Sequence, residues 1–184
     1  QFIGILIISF GLSGIIARER NNGTATMLYV RPISYNAYVF SKLAIMGILI
    51  VGSACIGLLA NLYYTYILYG AVETAAFIGF LGTYSIWLLF AISIVICSSA
   101  AFSTGVASVT SLFFLIIVPL VDGLLGTYWT ISPWKLPMYA GQILSSSIDN
   151  TPYIWSLIVT LVIIVLLIVG AAFITKRNVS KAKI

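Results

Sequence analysis

Apolar residues fall in long, nearly unbroken blocks along the chain, and polar residues gather in the gaps between them. Several blocks approach the ~20 residues that a helix needs to cross a bilayer. The pattern predicts five spans, over residues 2–17, 43–68, 77–97, 105–121 and 153–175. The last is almost pure Leu, Ile and Val. The third and fourth are parted only by the small-residue stretch SSAAFST, which predicts a tight helical hairpin. Three polar intervals remain, namely a loop at 18–42, a segment at 122–152 and a tail at 176–184. The fold class expected is an all-α polytopic membrane protein, one transmembrane domain over residues 1–184.

Composition narrows the class further. Hydrophobic residues make up 61% of the chain and charged residues 7%, against about 25% charged in a soluble domain. So few charges cannot cover a globular surface in water. The sequence opens on Gln1 and is apolar at once, with no charged leader region and no small-residue cleavage site before a polar domain. We therefore expect it to begin inside a span, with sequence missing upstream.

Charge sets the orientation. Arg18, Arg20, Arg31 and Lys42 precede the second span, and Lys176, Arg177, Lys181 and Lys183 follow the fifth. Four crossings separate the two groups and return the chain to one side. The cation bias of cytoplasmic loops puts that side, and the C-terminus, in the cytoplasm. The other side receives Glu73, Asp122, Lys135 and Asp149, and Tyr63, Tyr64, Tyr66 and Tyr69 close the second span there as an aromatic belt. Residue 1 then lies outside, and a chain starting in the cytoplasm would need one more span, six in all. The sequons at Asn22 and Asn178 fall on the cytoplasmic side and are expected to carry no glycan.

Candidate chemistry is sparse. There is no His, and the two Cys and four carboxylates are scattered, so no zinc site is visible. Cys55 and Cys97 both lie in apolar runs and are expected as free thiols. The spans hold no ionisable residue of the kind that ion-driven transporters place at depth. No G-x-x-x-x-G-K-[S/T] phosphate loop occurs either. A transporter with neither device must borrow its free energy from a partner. Asn61 is the most polar residue deep in the second span. It has two readings, a helix–helix hydrogen bond and a weak candidate for a substrate path.

The loop at 18–42 holds four of the nine cations. Asn21-Asn22-Gly23 is turn chemistry, Thr24 can cap a helix, and residues 25–30 suffice for about two turns. Pro32 turns Arg31 away from helical geometry, and Ser34 can cap the helix that runs into the second span. The pattern is helix, break, helix along a membrane face. Physics alone leaves open an interfacial connector with snorkelling cations, although the loop is longer than a turn requires. In the segment at 122–152, Ser132 followed by Pro133 reads as a cap and a first-turn proline. Short helices dipping into the outer leaflet are expected there, either as an interfacial loop or as an outer gate.

Glu19-x-x-x-Gly23-Thr24, Leu28, Pro32-Ile33-Ser34 and Lys42 at the mouth of a span together resemble the first cytoplasmic loop of ABC type-2 transporter permeases, the membrane subunits of ATP-binding cassette exporters. The run Ser98-Ser99-Ala100-Ala101-Phe102-Ser103-Thr104-Gly105-Val106-Ala107 resembles that family's hairpin between its fourth and fifth spans. Ser132-Pro133-Trp134 and Pro137, before a final span and a basic tail, resemble its outer hairpin and last helix. The whole sequence aligns in order, with the family's first span absent.

The resemblance implies a coupling helix made by Glu19, Gly23, Thr24, Leu28, Arg31, Pro32, Ile33 and Ser34. It would dock on an ABC ATPase subunit, with Leu28 as apolar anchor and Pro32 setting the angle to the next span. It also implies a second permease copy or a paralogue as partner, beside the lipid bilayer. ATP and magnesium would sit on the ATPase, leaving this chain no cofactor and no enzymatic activity. Nucleic acid is not an expected partner, and the setting implied is the plasma membrane of a bacterium. The alternative is a non-transporting immunity, sensor or structural subunit of the membrane.

Overall fold

The computed structural model describes residues 11–12, 17, 35–70, 73–125, 130–145 and 147–182. Their regular structure is helical throughout. Helix α1 spans Tyr35–Tyr69 and α2 spans Thr74–Ala101. Helix α3 (Thr104–Leu112) continues through a π-helical turn (Phe113–Ile117) into α4 (Val118–Leu125). A 3₁₀ turn (Pro133–Lys135) then leads into α5 (Leu136–Leu144), and α6 (Asn150–Ala182) closes the order.

Among the described residues, four helical stretches are long and apolar enough to cross a membrane, over Ala37–Tyr69, Thr74–Ala101, Thr104–Leu124 and Asn150–Arg177. They match the second to fifth expected spans, with ends that differ by a few residues. The largest differences are at the start of α1 and the end of α6, where the helices run on into the basic segments. Lys and Arg are good helix formers whose long stems let the charge reach water while the backbone stays helical. The tail expected from residue 176 is therefore helical as far as Ala182. The first expected span lies outside the described residues apart from Gly11, Leu12 and Ala17, all helical.

Helix α2 is the axis of the bundle. From Trp87 to Ala100 it is buried at nearly every position, and it packs against α1, α3, α5 and α6. Its middle joins a core of Trp87, Phe90, Ile94 and Val95 with Leu115, Leu136 and Ile164. Its last turns join a second core with Val39 and Leu43 of α1 and Ala171 and Ala172 of α6. The outer surfaces of the other helices are apolar too, with Ile48, Ile56, Leu124 and Phe173 all exposed. Such a surface is a liability in water and suits the hydrocarbon of a bilayer, as befits a multi-pass membrane protein.

Hydroxyls in the spans turn back onto their own helices. Ser53, Thr83, Ser85, Ser93, Thr110, Thr160 and Thr175 each donate to the carbonyl four residues earlier, at 2.6–2.9 Å. This satisfies each donor without water and keeps helix faces compact. Asn61 follows the same rule. It is exposed on α1, and its side-chain oxygen accepts from Thr65 of the same helix at 3.4 Å. Among the described residues the contact at this oxygen is within the helix rather than between helices. Cys55 and Cys97 are free thiols.

Two local features shape the span over Thr104–Leu124. Helix α2 ends at Ala101, and Phe102 and Ser103 form the extended link before α3, the tight hairpin that SSAAFST predicts. Farther on, the Val118 amide donates to the Phe113 carbonyl, one residue beyond the α-helical partner. Pro119 explains the widening: it has no N–H, and its ring would strike the carbonyl of Leu115 in a regular helix. The π turn makes room just ahead of it.

Candidate functional site

The two ends of α2 are held in different ways. Lys42, Lys176 and Arg177 lie at the end of the bundle formed by the start of α1, the end of α2 and the end of α6. We call this the basic end. Glu73, Asp122, Lys135 and Asp149 belong to the opposite end.

Glu19, Gly23, Thr24, Leu28, Arg31, Pro32, Ile33 and Ser34 lie outside the described residues, so the shape of the expected coupling helix is not described. Its two flanks are. On one side Ala17 is fully buried, and its amide donates to Ser99 Oγ of α2 at 3.2 Å. Leu12 of the same flank packs against both cores. On the other side Val39, fully buried, and Leu43 pack with Ile92, Ile96 and Ala100 of α2 and with Ala171 and Ala172 of α6. Both flanks of segment 18–34, which we call the strap, thus rest on the basic end of α2.

Small side chains make this close packing possible. Ala100, Ala171 and Ala172 are buried, and Ser98 and Ser99 with them. Farther along, a Cβ on Gly47 of α1 would come within 3.0 Å of Leu89 Cδ2, so α1 and α2 approach closely there too. Lys42 stays at the rim, its ammonium 5.7 Å from the Tyr38 ring centroid, which is cation–π range.

The opposite end is knit by hydroxyls. Ser132 Oγ accepts from the Trp134 amide at 3.3 Å, and Pro133 opens the 3₁₀ turn, the cap and first-turn proline read from the sequence. The segment from Thr130 to Leu144 then folds back along α2. Trp134 meets Phe90 edge-on at 5.0 Å. Ile143 crosses Gly79, where an added Cβ would lie 3.1 Å from its Cγ2. Ser156 of α6 donates to the Ser132 carbonyl at 2.9 Å, and Tyr139 to the Thr130 carbonyl at 2.7 Å. Thr83 of α2 and Tyr153 of α6 share a hydrogen bond of 2.8 Å.

These bonds answer a requirement. A chain that folds back among spans leaves carbonyls without helical partners, and only protein donors can satisfy them in an apolar setting. Burial raises the Tyr139 hydroxyl above its ordinary pKa, and Asp149 and Asp122 raise it further. It therefore remains a neutral donor through the physiological range.

One side-chain donor is left over among the described residues. The Trp87 indole N–H is buried without a partner. No group of three or more His, Cys, Asp or Glu that could hold a metal occurs among them. Sequence reasoning missed the hydroxyl lock and the π turn. Pro119 was the available signal for the turn.

Comparison with known proteins gives two findings. The family model described as ABC-2 family transporter protein matches residues 1–119. An uncharacterized transmembrane protein of Bacillus subtilis strain 168, YxlG, is 26% identical over 178 residues, which cover 95% of this chain and 68% of that protein. No solved structure gives a significant match.

Proposed function

The chain belongs to the ABC-2 family of transporter proteins, and from that premise we propose that it is the permease of an ATP-driven exporter, worked through segment 18–34. As an ABC-2 family membrane protein it is a membrane component of an ABC transporter, and members of this family work with ATPase partners. The finer reading is ours: a separate ATPase subunit grips the strap, binds ATP and magnesium, and drives export through two permease copies or a permease with a paralogue.

One observation carries this reading. Both flanks of segment 18–34 stand on the same end of α2, through Ala17 to Ser99 and through Val39 and Leu43 to Ile92, Ile96 and Ala100. A push or tilt of the strap is delivered to the helix that touches most of the others. Packed interiors respond to such a load by switching between arrangements rather than by soft deformation. In this reading the basic end faces the cytoplasm, as its cations favour, and the plasma membrane of a bacterium is the setting. Glu19 and Arg31 pair with charges of the partner, Leu28 anchors in its groove, and Pro32, Ile33 and Ser34 fix the angle to α1. Gly23 and Thr24 form the turn and cap at the strap's entry.

The test is ATP hydrolysis by the full-length chain assembled with its ATPase. Pro32→Ala and Glu19→Lys are expected to leave the complex assembled while transport-linked hydrolysis falls about five-fold or more, a usual size for coupling between sites. Unchanged hydrolysis and transport in both variants would remove the strap from the mechanism. An assembled complex with no transport at all would favour the immunity, sensor or structural role instead.

A further inference from the structure

A cavity of about 200 Å³ opens between the end of α2, the last turn of α3 with the π turn after it, and the middle of α6, on the side of the hairpin at the basic end. Its floor is Ile94 and Ser98, both buried, and its walls include Cys97 and Leu167. Phe102 and Phe114 stand at its rim, and both are exposed to the surroundings of the bundle. Except for Phe102, at the hairpin itself, these residues belong to helices long and apolar enough to cross a membrane, so in a bilayer the rim at Phe114 would face hydrocarbon.

The lining has little to offer water. Its hydroxyls are those of Ser98 and Thr110, and Thr110 already donates to the Val106 carbonyl at 2.8 Å. A water needs two to four polar partners to be held, and a dry apolar cavity of ~150 Å³ is large enough for a six-carbon ring. An empty space of this size would forfeit dispersion contacts on every wall. Helix α3 packs chiefly on α2, so the gap toward α6 is bridged by whatever fills the cavity.

We propose that the cavity holds one acyl chain of a bilayer phospholipid, drawn from the leaflet at the basic end. A flexible methylene chain enters between Phe102 and Phe114, and about six to eight carbons fill the space, by comparison with the ring-sized cavity. The bound chain joins the α2–α3 hairpin to Leu167 of α6. This site does not depend on the transport reading, because it needs only the membrane location of the helices.

The test uses the full-length protein in nanodiscs containing a phospholipid with a diazirine in mid-chain. After photolysis, adducts are expected to concentrate on the lining around Cys97 and Phe114. Thr110→Phe, which fills the cavity, should lower them several-fold while adducts on the exposed face of α1 at Ile48 and Ile56 stay constant, and Thr110→Ser should keep the wild-type pattern. Adducts spread evenly over all lipid-facing helices, or unchanged by Thr110→Phe, would overturn the site.

A second measurement stands if that variant fails to fold. In a background where Cys97 is the sole cysteine, its alkylation by an apolar maleimide should quicken on delipidation and slow again when phospholipid is returned. No change on delipidation, or cross-linking of Cys97 to another segment or a second copy by a short reagent, would mean that lipid is not the occupant.

Discussion

The two ends of α2 solve one problem, holding neighbours against a central helix in an apolar setting, by opposite means. At the basic end the contacts are between small or branched apolar side chains, Ala100 against Ala171 and Ala172, with Val39 and Leu43 closing the side. At the other end they are hydroxyls, with Thr83 bonded to Tyr153, Ser156 to Ser132 and Tyr139 to Thr130. The difference follows from what arrives at each end. At the basic end α1 and α6 meet α2 as helices whose backbones are already bonded, so dense packing carries most of the contact. A returning segment arrives at the other, and its carbonyls need donors. Close packing, with the Ala17–Ser99 bond beside it, holds the basic end. Directional bonds suit a segment that must hold its position.

This contrast predicts different penalties. The largest belongs to the packed end. Ala171→Leu forces a bulky side chain into a space between three helices, and overpacking of this kind costs about 1–3 kcal/mol. Thermal unfolding of the full-length protein in detergent should show the loss, and an unchanged midpoint would mean that the basic end is looser than its burial indicates.

The hydroxyl lock should give a smaller, pairwise effect. Thr83→Val and Tyr153→Phe are each expected to cost about 1 kcal/mol, with a coupling near 0.6–1.7 kcal/mol in a double-mutant cycle, the range for hydrogen bonds between membrane helices. Strict additivity of the two would show that the 2.8 Å bond contributes nothing net. The smallest change belongs to Trp87, midway between the ends. Trp87→Phe removes a buried donor that has no partner. It should be neutral, or offset the lost ring area by removing a desolvation cost of about 1–3 kcal/mol. A large destabilisation would reveal a partner for the indole N–H.

How far the sequence carried this picture depends on the kind of interaction. Four spans were legible because a bilayer demands long apolar blocks, which are a one-dimensional signal. Their ends were less so. Tyr35 to Lys42 and Lys176 onward are polar enough to read as loop, yet nothing in them stops a helix. The cap at Ser132 and Pro133 was readable because its chemistry lies within three residues. The bond from Thr83 to Tyr153 joins positions 70 residues apart, and neither residue is unusual for a span. At Asn61 the described contact is local, with Thr65 of the same helix beside its side-chain oxygen, which polarity alone does not announce. The strap's own residues lie outside the described ones. Its anchorage through Ala17 and Ser99 rests on an 82-residue separation that no local pattern reveals.

The most direct measurement of the central idea is cross-linking at the strap itself. In the full-length complex with its ATPase, a single cysteine introduced as Leu28→Cys should be reached by an impermeant thiol reagent only from the cytoplasm. A short bifunctional reagent should join it to the ATPase subunit. Labelling of that cysteine only from outside the cell, or no cross-link to the ATPase in an active complex, would contradict the account.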